Sequence, residues 1–193
     1  FVVFARSQHG PHPRPASPRR RPSPCPCQQT RRQLPRCCSL RTTCDVLFIG
    51  DSITQGWEGH GKDVWEKYYG ERSAFNIGYS GDQTQHVLWR LDNGEMDRFR
   101  PKGAVLMIGT NNTGHQRNWT AQKVADGVQA IIGRIHRKSP DTKVLLLDIF
   151  PRGANAQDRL RIRNDEINAL ISGFHDGDKV HYLAISSAFL ESD

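Results

Sequence analysis

From Asp45 onward the chain alternates short apolar runs, bounded by Gly, Asp and Asn, with longer segments whose apolar residues recur every three or four positions. Val46-Leu47-Phe48-Ile49 is a continuous apolar run of strand length, the pattern of a parallel strand covered on both faces. Ala104-Val105-Leu106-Met107-Ile108 and Val144-Leu145-Leu146-Leu147 repeat it, and Ala74-Phe75-Asn76-Ile77 and Val180-His181-Tyr182-Leu183 are weaker versions. Between them, Val124, Val128, Ile131, Ile132 and Ile135 form one stripe of a helix predicted to start near Thr120. Ile167, Leu170, Ile171 and Phe174 form a second stripe, with Gly177 beyond it as a stop. Five strand candidates alternating with helices predict a three-layer α/β domain with a five-stranded, mainly parallel sheet. In such sheets ligands bind outside the carboxyl ends of the strands, so the loops there are where chemistry is sought.

Composition divides the chain at the same place. Overall there are 27 Lys and Arg against 20 Asp and Glu, a net charge of +7 that would suit a nucleic-acid binder. Residues 1–44, however, hold nine of the Arg and no Lys, Asp or Glu, which leaves 18 basic and 20 acidic residues for 45–193. The tail carries +9 and the remainder −2. Eight of the 11 prolines and all five cysteines also precede Asp45. Residues 45–193 are then one slightly acidic domain, expected to have neither disulfides nor thiolate metal ligands and to depend on an apolar core. No run approaches the ~18–20 apolar residues of a membrane-spanning helix.

The Pro-rich stretch 11–26 can form neither a helix nor a central strand, because each proline removes a backbone donor and restricts its neighbour. Disorder with polyproline-like stretches is expected over 1–44. Four readings stay open: a solvated tail, a stretch read outside its native frame, a transit peptide, and non-specific binding of anionic polymers or lipids through Arg14, Arg19, Arg20 and Arg21. The prolines count against the amphipathic helix that a transit peptide requires. The spacing of Cys25, Cys27, Cys37 and Cys38 lacks the paired Cys-x-x-Cys of a zinc module.

Three strand ends carry groups suited to acyl transfer. Gly50-Asp51-Ser52-Ile53-Thr54 follows the first strand and offers a serine at a strand-to-helix junction. Asn76-Ile77-Gly78-Tyr79-Ser80-Gly81-Asp82 brings glycines whose N–H groups a ligand can approach closely. Gly109-Thr110-Asn111-Asn112-Thr113-Gly114 adds a side-chain amide. Taken singly, these are a helix cap, a tight turn and a polar loop. Together they supply a nucleophile and donors for the oxyanion of a tetrahedral intermediate.

Gly50-Asp51-Ser52-Ile53, the Gly81-Asp82 turn and Gly109-Thr110-Asn111 resemble the first three blocks of the SGNH, or GDSL-type, hydrolases, with Ile53 where many members have Leu. Gln85-His86-Val87-Leu88-Trp89-Arg90-Leu91, Asn93-Gly94-Glu95, Gly109-Thr110-Asn111-Asn112 and Phe150-Pro151-Arg152-Gly153 narrow the likeness. They are similar to the catalytic subunits of intracellular platelet-activating-factor acetylhydrolases and their bacterial relatives. The resemblance covers about 45–193 and implies a serine esterase on a flavodoxin-like sheet, with no metal and no cofactor. By position, Ser52 is the implied nucleophile, and the oxyanion hole is the Ser52 N–H, the Gly81 N–H and the Asn111 side-chain NH₂. Gly78 competes for the glycine role; the motif favours Gly81, the glycine before Asp82.

The family's fourth block is an Asp-x-x-His near the C-terminus that supplies the base and its orienting carboxylate. This chain stops at Glu191-Ser192-Asp193, so the block is expected beyond Asp193, and the chain looks truncated, with apolar sheet surface left open to association. Asp178-Lys179-Val180-His181 fits the spacing, but His181 opens the fifth strand at the expected amino end of the sheet, roughly 17–20 Å from Ser52. His86 and His115 lie on the correct side without an evident carboxylate partner.

The resulting expectation is hydrolysis of small acyl esters, acetyl above all, of lipids or carbohydrates through an acyl-enzyme. The rival is an inactive fragment or a pseudoenzyme that binds acylated ligands. Trp57 and Trp89 are candidates for lining the substrate pocket. The resemblance is also compatible with a homodimer, favours a cytoplasmic location, and implies no specific nucleic-acid partner.

Overall fold

The computed structural model describes residues 44–97, 99–115 and 119–190. The tail readings for 1–43 lie outside the described residues. Five parallel strands, β1 (Val46–Gly50), β2 (Ala74–Gly78), β3 (Gly103–Met107), β4 (Lys143–Leu147) and β5 (Val180–Leu183), form one sheet in the order β2-β1-β3-β4-β5. Six helices are described: α1 (Ser52–Gln55), α2 (Lys62–Tyr69), α3 (Thr84–Asp92), α4 (Thr110–His115), α5 (Ala121–Lys138) and α6 (Arg159–Ser172). The order reverses direction at β1, the arrangement of a doubly wound, flavodoxin-like domain whose ligands bind at that reversal.

In-register pairing makes the two sheet faces readable as rows. Phe75, Leu47, Ala104, Val144 and Val180 form one row, and Ile77, Ile49, Leu106, Leu146 and Tyr182 the next on the same face. Helices α3, α5 and α6 cover this face with Val87, Leu91, Val124, Val128, Ile131, Ile135, Ile167 and Ile171, in one continuous core. Helix α5 starts as expected: the Thr120 side chain accepts the Lys123 N–H at 3.2 Å, and all five residues of its predicted stripe are buried. Its last turn carries His136, Arg137 and Lys138, which favourably face the negative end of the helix dipole.

The opposite face differs. Among the described residues its row Asn76, Phe48, Val105, Leu145 and His181 is roofed only at the β2 and β1 end, where Phe48 packs edge-on against Trp65 and Tyr69 of α2 with ring centroids 4.9 Å away in both cases. Toward β4 and β5 an apolar groove of about 470 Å³ stays open, lined among others by Trp57, Val105, Leu145, Leu147, Phe150 and Phe189. A continuous apolar run predicts cover on both faces; here one face is closed and the other is half roofed.

Three local expectations change. Helix α6 ends at Ser172 with Gly173 as its cap, and Gly177 instead takes a left-handed φ of +75° in the turn into β5. Leu170, assigned to the buried stripe, is 37% exposed, because the burying positions of α6 are Asn164, Ile167 and Ile171. Cys44, which composition assigns to the tail, is buried in the core, with its thiol facing the Val46 carbonyl at 3.5 Å. The packed region therefore includes a cysteine.

Candidate active site

Pairing of Gly50 with both Gly78 and Met107 brings the loops after β1, β2 and β3 to one edge of the sheet. Asp51 caps α1 by accepting the Ile53 N–H at 3.0 Å, and this leaves Ser52 exposed at the first helical position. A first-turn N–H has no intrahelical partner, and the Ser52 amide has no acceptor among the described residues. The loops are tied directly to one another. Asn76 Nδ2 donates to the Thr54 carbonyl at 2.8 Å, the Tyr79 N–H to the Gly50 carbonyl at 3.2 Å, and the Ser80 N–H to Gln55 Oε1 at 2.9 Å.

The two glycines of the second loop have different jobs. A Cβ on Gly78 would lie 2.6 Å from Thr54 Cβ, so glycine is needed there to let α1 sit on the sheet, and the Gly78 N–H is already given to Asn76 Oδ1 at 2.8 Å. Gly81 is exposed, takes φ +79°, and its N–H has no acceptor among the described residues. That φ is in the left-handed region, which glycine enters without the Cβ penalty. Of the two amides, Gly81 is the one free to bind a ligand.

Asn111, 8% exposed, donates one Nδ2 hydrogen to the Asp82 carbonyl at 2.9 Å, and its own carbonyl accepts from Gln83 Nε2 at 3.2 Å. An amide carries two hydrogens, so one remains. Asn112 secures the next layer: its Oδ1 accepts the Thr84 N–H at 3.1 Å, and its Nδ2 donates to Thr84 Oγ1 at 3.2 Å. Arg152 Nη1 donates to the Thr110 carbonyl at 2.9 Å, which ties the Pro151-Arg152-Gly153 segment to the start of α4.

Behind this edge lies a buried polar chain. Asp82 is gripped by Arg90 through Nε to Oδ2 and Nη2 to Oδ1, both at 2.9 Å. The guanidinium lies 3.7 Å over the Tyr79 ring, and the Tyr79 hydroxyl donates to Glu95 Oε1 at 2.6 Å. Burial pushes the Glu95 carboxyl up to about 7, although the Tyr79 hydrogen bond and the Arg90 charge pull the other way. Burial likewise raises Asp51 to about 6, opposed by the Ile53 N–H and assisted by the charge of Asp82. In the sequence, Arg90 and Glu95 stand out only as family markers. A signal for the burial of Arg90 is nevertheless present there: it lies three residues after Val87 and just before Leu91, on the apolar stripe of α3.

Among the described residues, His86 and His181 are not set up as a base for Ser52. His86, expected to have no carboxylate partner, has its Nδ1 3.9 Å from Asp82 Oδ1 and accepts the Gln83 N–H there at 3.2 Å. Asp82 is already committed to Arg90 through both oxygens. His181 is not at the amino end of the sheet, as expected, but in register with Leu145, Val105 and Phe48. It stays remote from Ser52 for another reason: three strand spacings, about 14 Å, separate β5 from β1. Its Nε2 lies 3.0 Å from the Asp178 carbonyl. The His115 side chain lies outside the described residues. Trp57 lines the open groove, whereas Trp89 is 38% exposed on α3 and does not. Among the described residues no three His, Cys, Asp or Glu side chains cluster as metal ligands, and no helix is long and apolar enough to cross a membrane.

The chain is similar to several known proteins. Platelet-activating factor acetylhydrolase IB subunit alpha1 of Homo sapiens is 39% identical over 150 residues, 77% of this chain and 62% of that protein. The alpha2 subunit of Mus musculus is 38% identical with the same coverage. The chain thus spans about 62% of the length of these curated relatives. Among solved structures, Axe2, an acetylxylan esterase from Geobacillus stearothermophilus, superposes with a TM-score of 0.61 at 17% identity, covering 78% of this chain and 80% of that one, a likeness of fold. The GDSL-like lipase/acylhydrolase family matches residues 48–193, and with three quarters of its length accounted for in this way the chain belongs to that family.

Proposed function

We propose that the protein is a serine esterase acting on small acyl esters, with acetyl as the favoured acyl group, through an acyl-enzyme intermediate. The observation that carries the reading is the convergence on one sheet edge of an exposed serine and donors left unused by the fold: the Ser52 and Gly81 amides and the second Nδ2 hydrogen of Asn111. Ser52 Oγ attacks the acyl carbon as its proton leaves to a base. The carbonyl oxygen becomes an oxyanion held by these donors, and its collapse expels the alcohol and leaves the acyl group on Ser52. Water then attacks the acyl carbon as its proton leaves to the base, and collapse of the second tetrahedral intermediate breaks the bond to Ser52 Oγ, which takes that proton back as the acid leaves. The names of the curated relatives and of Axe2 support acetyl as the acyl group, on a lipid or a carbohydrate alcohol. A homodimer and a cytoplasmic location belong to the same proposal.

Among the described residues no histidine is paired to take the serine proton. With the described residues alone, turnover is expected at the rate that oxyanion stabilisation and binding supply, on the order of 10³–10⁴ over water in the precedent of triads lacking one member. A fluorophosphonate probe with mass-spectrometric mapping tests the assignment. The adduct should form slowly on Ser52, and Asn111→Ala should slow it by roughly 10²–10³. An adduct on another residue, or an unchanged rate in Asn111→Ala, would overturn the reading. Rapid stoichiometric labelling would instead reveal a paired base. Binding of acetyl esters without any adduct would favour the non-catalytic alternative.

A further inference from the structure

Trp-Arg-Leu and Asn-Gly-Glu stand out in the sequence without a role in the chemistry, and both feed the buried polar chain behind the site. We propose that Arg90 and Glu95 are positioning residues that hold two of the three oxyanion donors, the Gly81 amide and the Asn111 side chain, through Asp82. This rests on the reading of Gly81 and Asn111 as those donors.

Among the described residues, Asp82 is tied to both. Its N–H closes the turn on the Tyr79 carbonyl at 3.1 Å, which sets Gly81 at φ +79°, and its own carbonyl takes the Asn111 side chain at 2.9 Å. Its carboxylate is held bidentately by Arg90, so the plane of the carboxylate is fixed as well as its position. Arg90 is backed in turn: the Tyr79 ring lies on its face, and Tyr79 is anchored at the far end by Glu95. All four side chains are at least nine-tenths buried. A buried ion pair is a poor source of stability, because desolvation offsets most of the attraction. What the arrangement supplies instead is a rigid backing to the exposed turn.

The charges make the device testable. One guanidinium faces two carboxylates, Asp82 from the loop after β2 and Glu95 from the loop after α3. The other groups in the field are His86 on α3, 3.9 Å from Asp82, and Asp51 before α1, which interacts with Asp82 and with Arg152. When Glu95 loses its proton it competes with Asp82 for Arg90, and the change is relayed through Asp82 to the Gly81 amide.

The experiment is two-dimensional ¹H–¹⁵N NMR of the 193-residue chain, following the Gly81 amide and the Asn111 side-chain amide between about pH 5 and 9. In the wild type both resonances should move together through a common step, and Glu95→Gln, which keeps an acceptor for Tyr79, should remove that step. Arg90→Lys, which keeps the charge but loses the bidentate grip, should shift both resonances at every pH. A step that survives unchanged in Glu95→Gln belongs to another group and overturns the proposal. So does a folded Arg90→Lys protein with wild-type Gly81 and Asn111 signals. If Arg90→Lys fails to fold, Glu95→Gln decides alone. None of these readouts requires turnover. A missing Ser52 adduct with the coupling intact would sink the esterase reading alone; the reverse would sink only the positioning network.

Discussion

The two faces of the sheet are built from the same residue types and reach opposite ends. On one, Leu47, Leu106, Val144 and Leu146 are at most 1% exposed beneath α3, α5 and α6. On the other, Val105, Leu145 and Leu147 keep partial access to solvent, and Leu183 and Phe189 are 42% and 58% exposed beside the open groove. Neighbouring residues of one strand, such as Leu146 and Leu147, thus sit in very different surroundings. The difference teaches that a strand's apolarity reports its capacity for burial, and the helices decide whether that capacity is used. The site lies where the half-roofed face meets the sheet edge: Ile53 and Thr54, next to Ser52, are groove residues.

The sharpest way to break the comparison is a pair of substitutions on β4. Leu146→Ala removes a fully packed side chain and should lower the urea-unfolding free energy by about 2–5 kcal/mol. Leu147→Ala, which removes a side chain with a solvent-facing flank, should cost about 1 kcal/mol. Equal losses would mean that the open face is closed in solution. A charge placed on that face sharpens the same point: Phe189→Lys should reduce self-association in sedimentation velocity, since contiguous exposed apolar surface drives it. An unchanged sedimentation profile would show that the groove is not the associating surface.

A subtler contrast is pH dependence, which the closed side should carry through Glu95. Its folded-state pKa is raised to about 7 and that of Asp51 to about 6, so each binds its proton more tightly folded than unfolded. Their contributions are fully present below the unfolded pKa values. They are lost as pH rises, across about 4 to 6 for Asp51 and about 4.5 to 7 for Glu95, with a slope for each group of at most roughly 1.4 kcal/mol per pH unit. Glu95→Gln should flatten the upper part of this fall in thermal melts; a parallel curve would remove Glu95 as its source. Least affected should be the exposed Asp45–Lys102 pair at 2.9 Å, where Lys102→Met is expected to change the unfolding free energy by about 0–1 kcal/mol.

Much of this is legible in the sequence. All five strands fall within a residue or so of their apolar runs, and α5 begins at the Thr120 cap, because these are local signals of side-chain period and hydrogen-bonding capacity. The GDSL-type motif picks out Ser52, Gly81 and Asn111, whose loops the sheet order then gathers. Composition places Cys44 in the tail because composition is an average, whereas packing is decided residue by residue. The sequence places His181 at the wrong level because a strand's first residues need not lie at the sheet's end once register is set. Arg90 and Glu95 can be named as markers but not joined, since the 16 residues that separate Tyr79 from Glu95 in sequence close only across the fold.

By itself, then, the sequence determined the alternation of strands and helices, the family, and the residues proposed for the chemistry. These follow from local periodicity and from motifs a few residues long. Tertiary structure alone decided which sheet face closes, which glycine keeps its N–H free, and how Asp82 links Arg90 to Asn111. Each of these depends on register and on crossover direction, through contacts between groups that the chain itself keeps far apart.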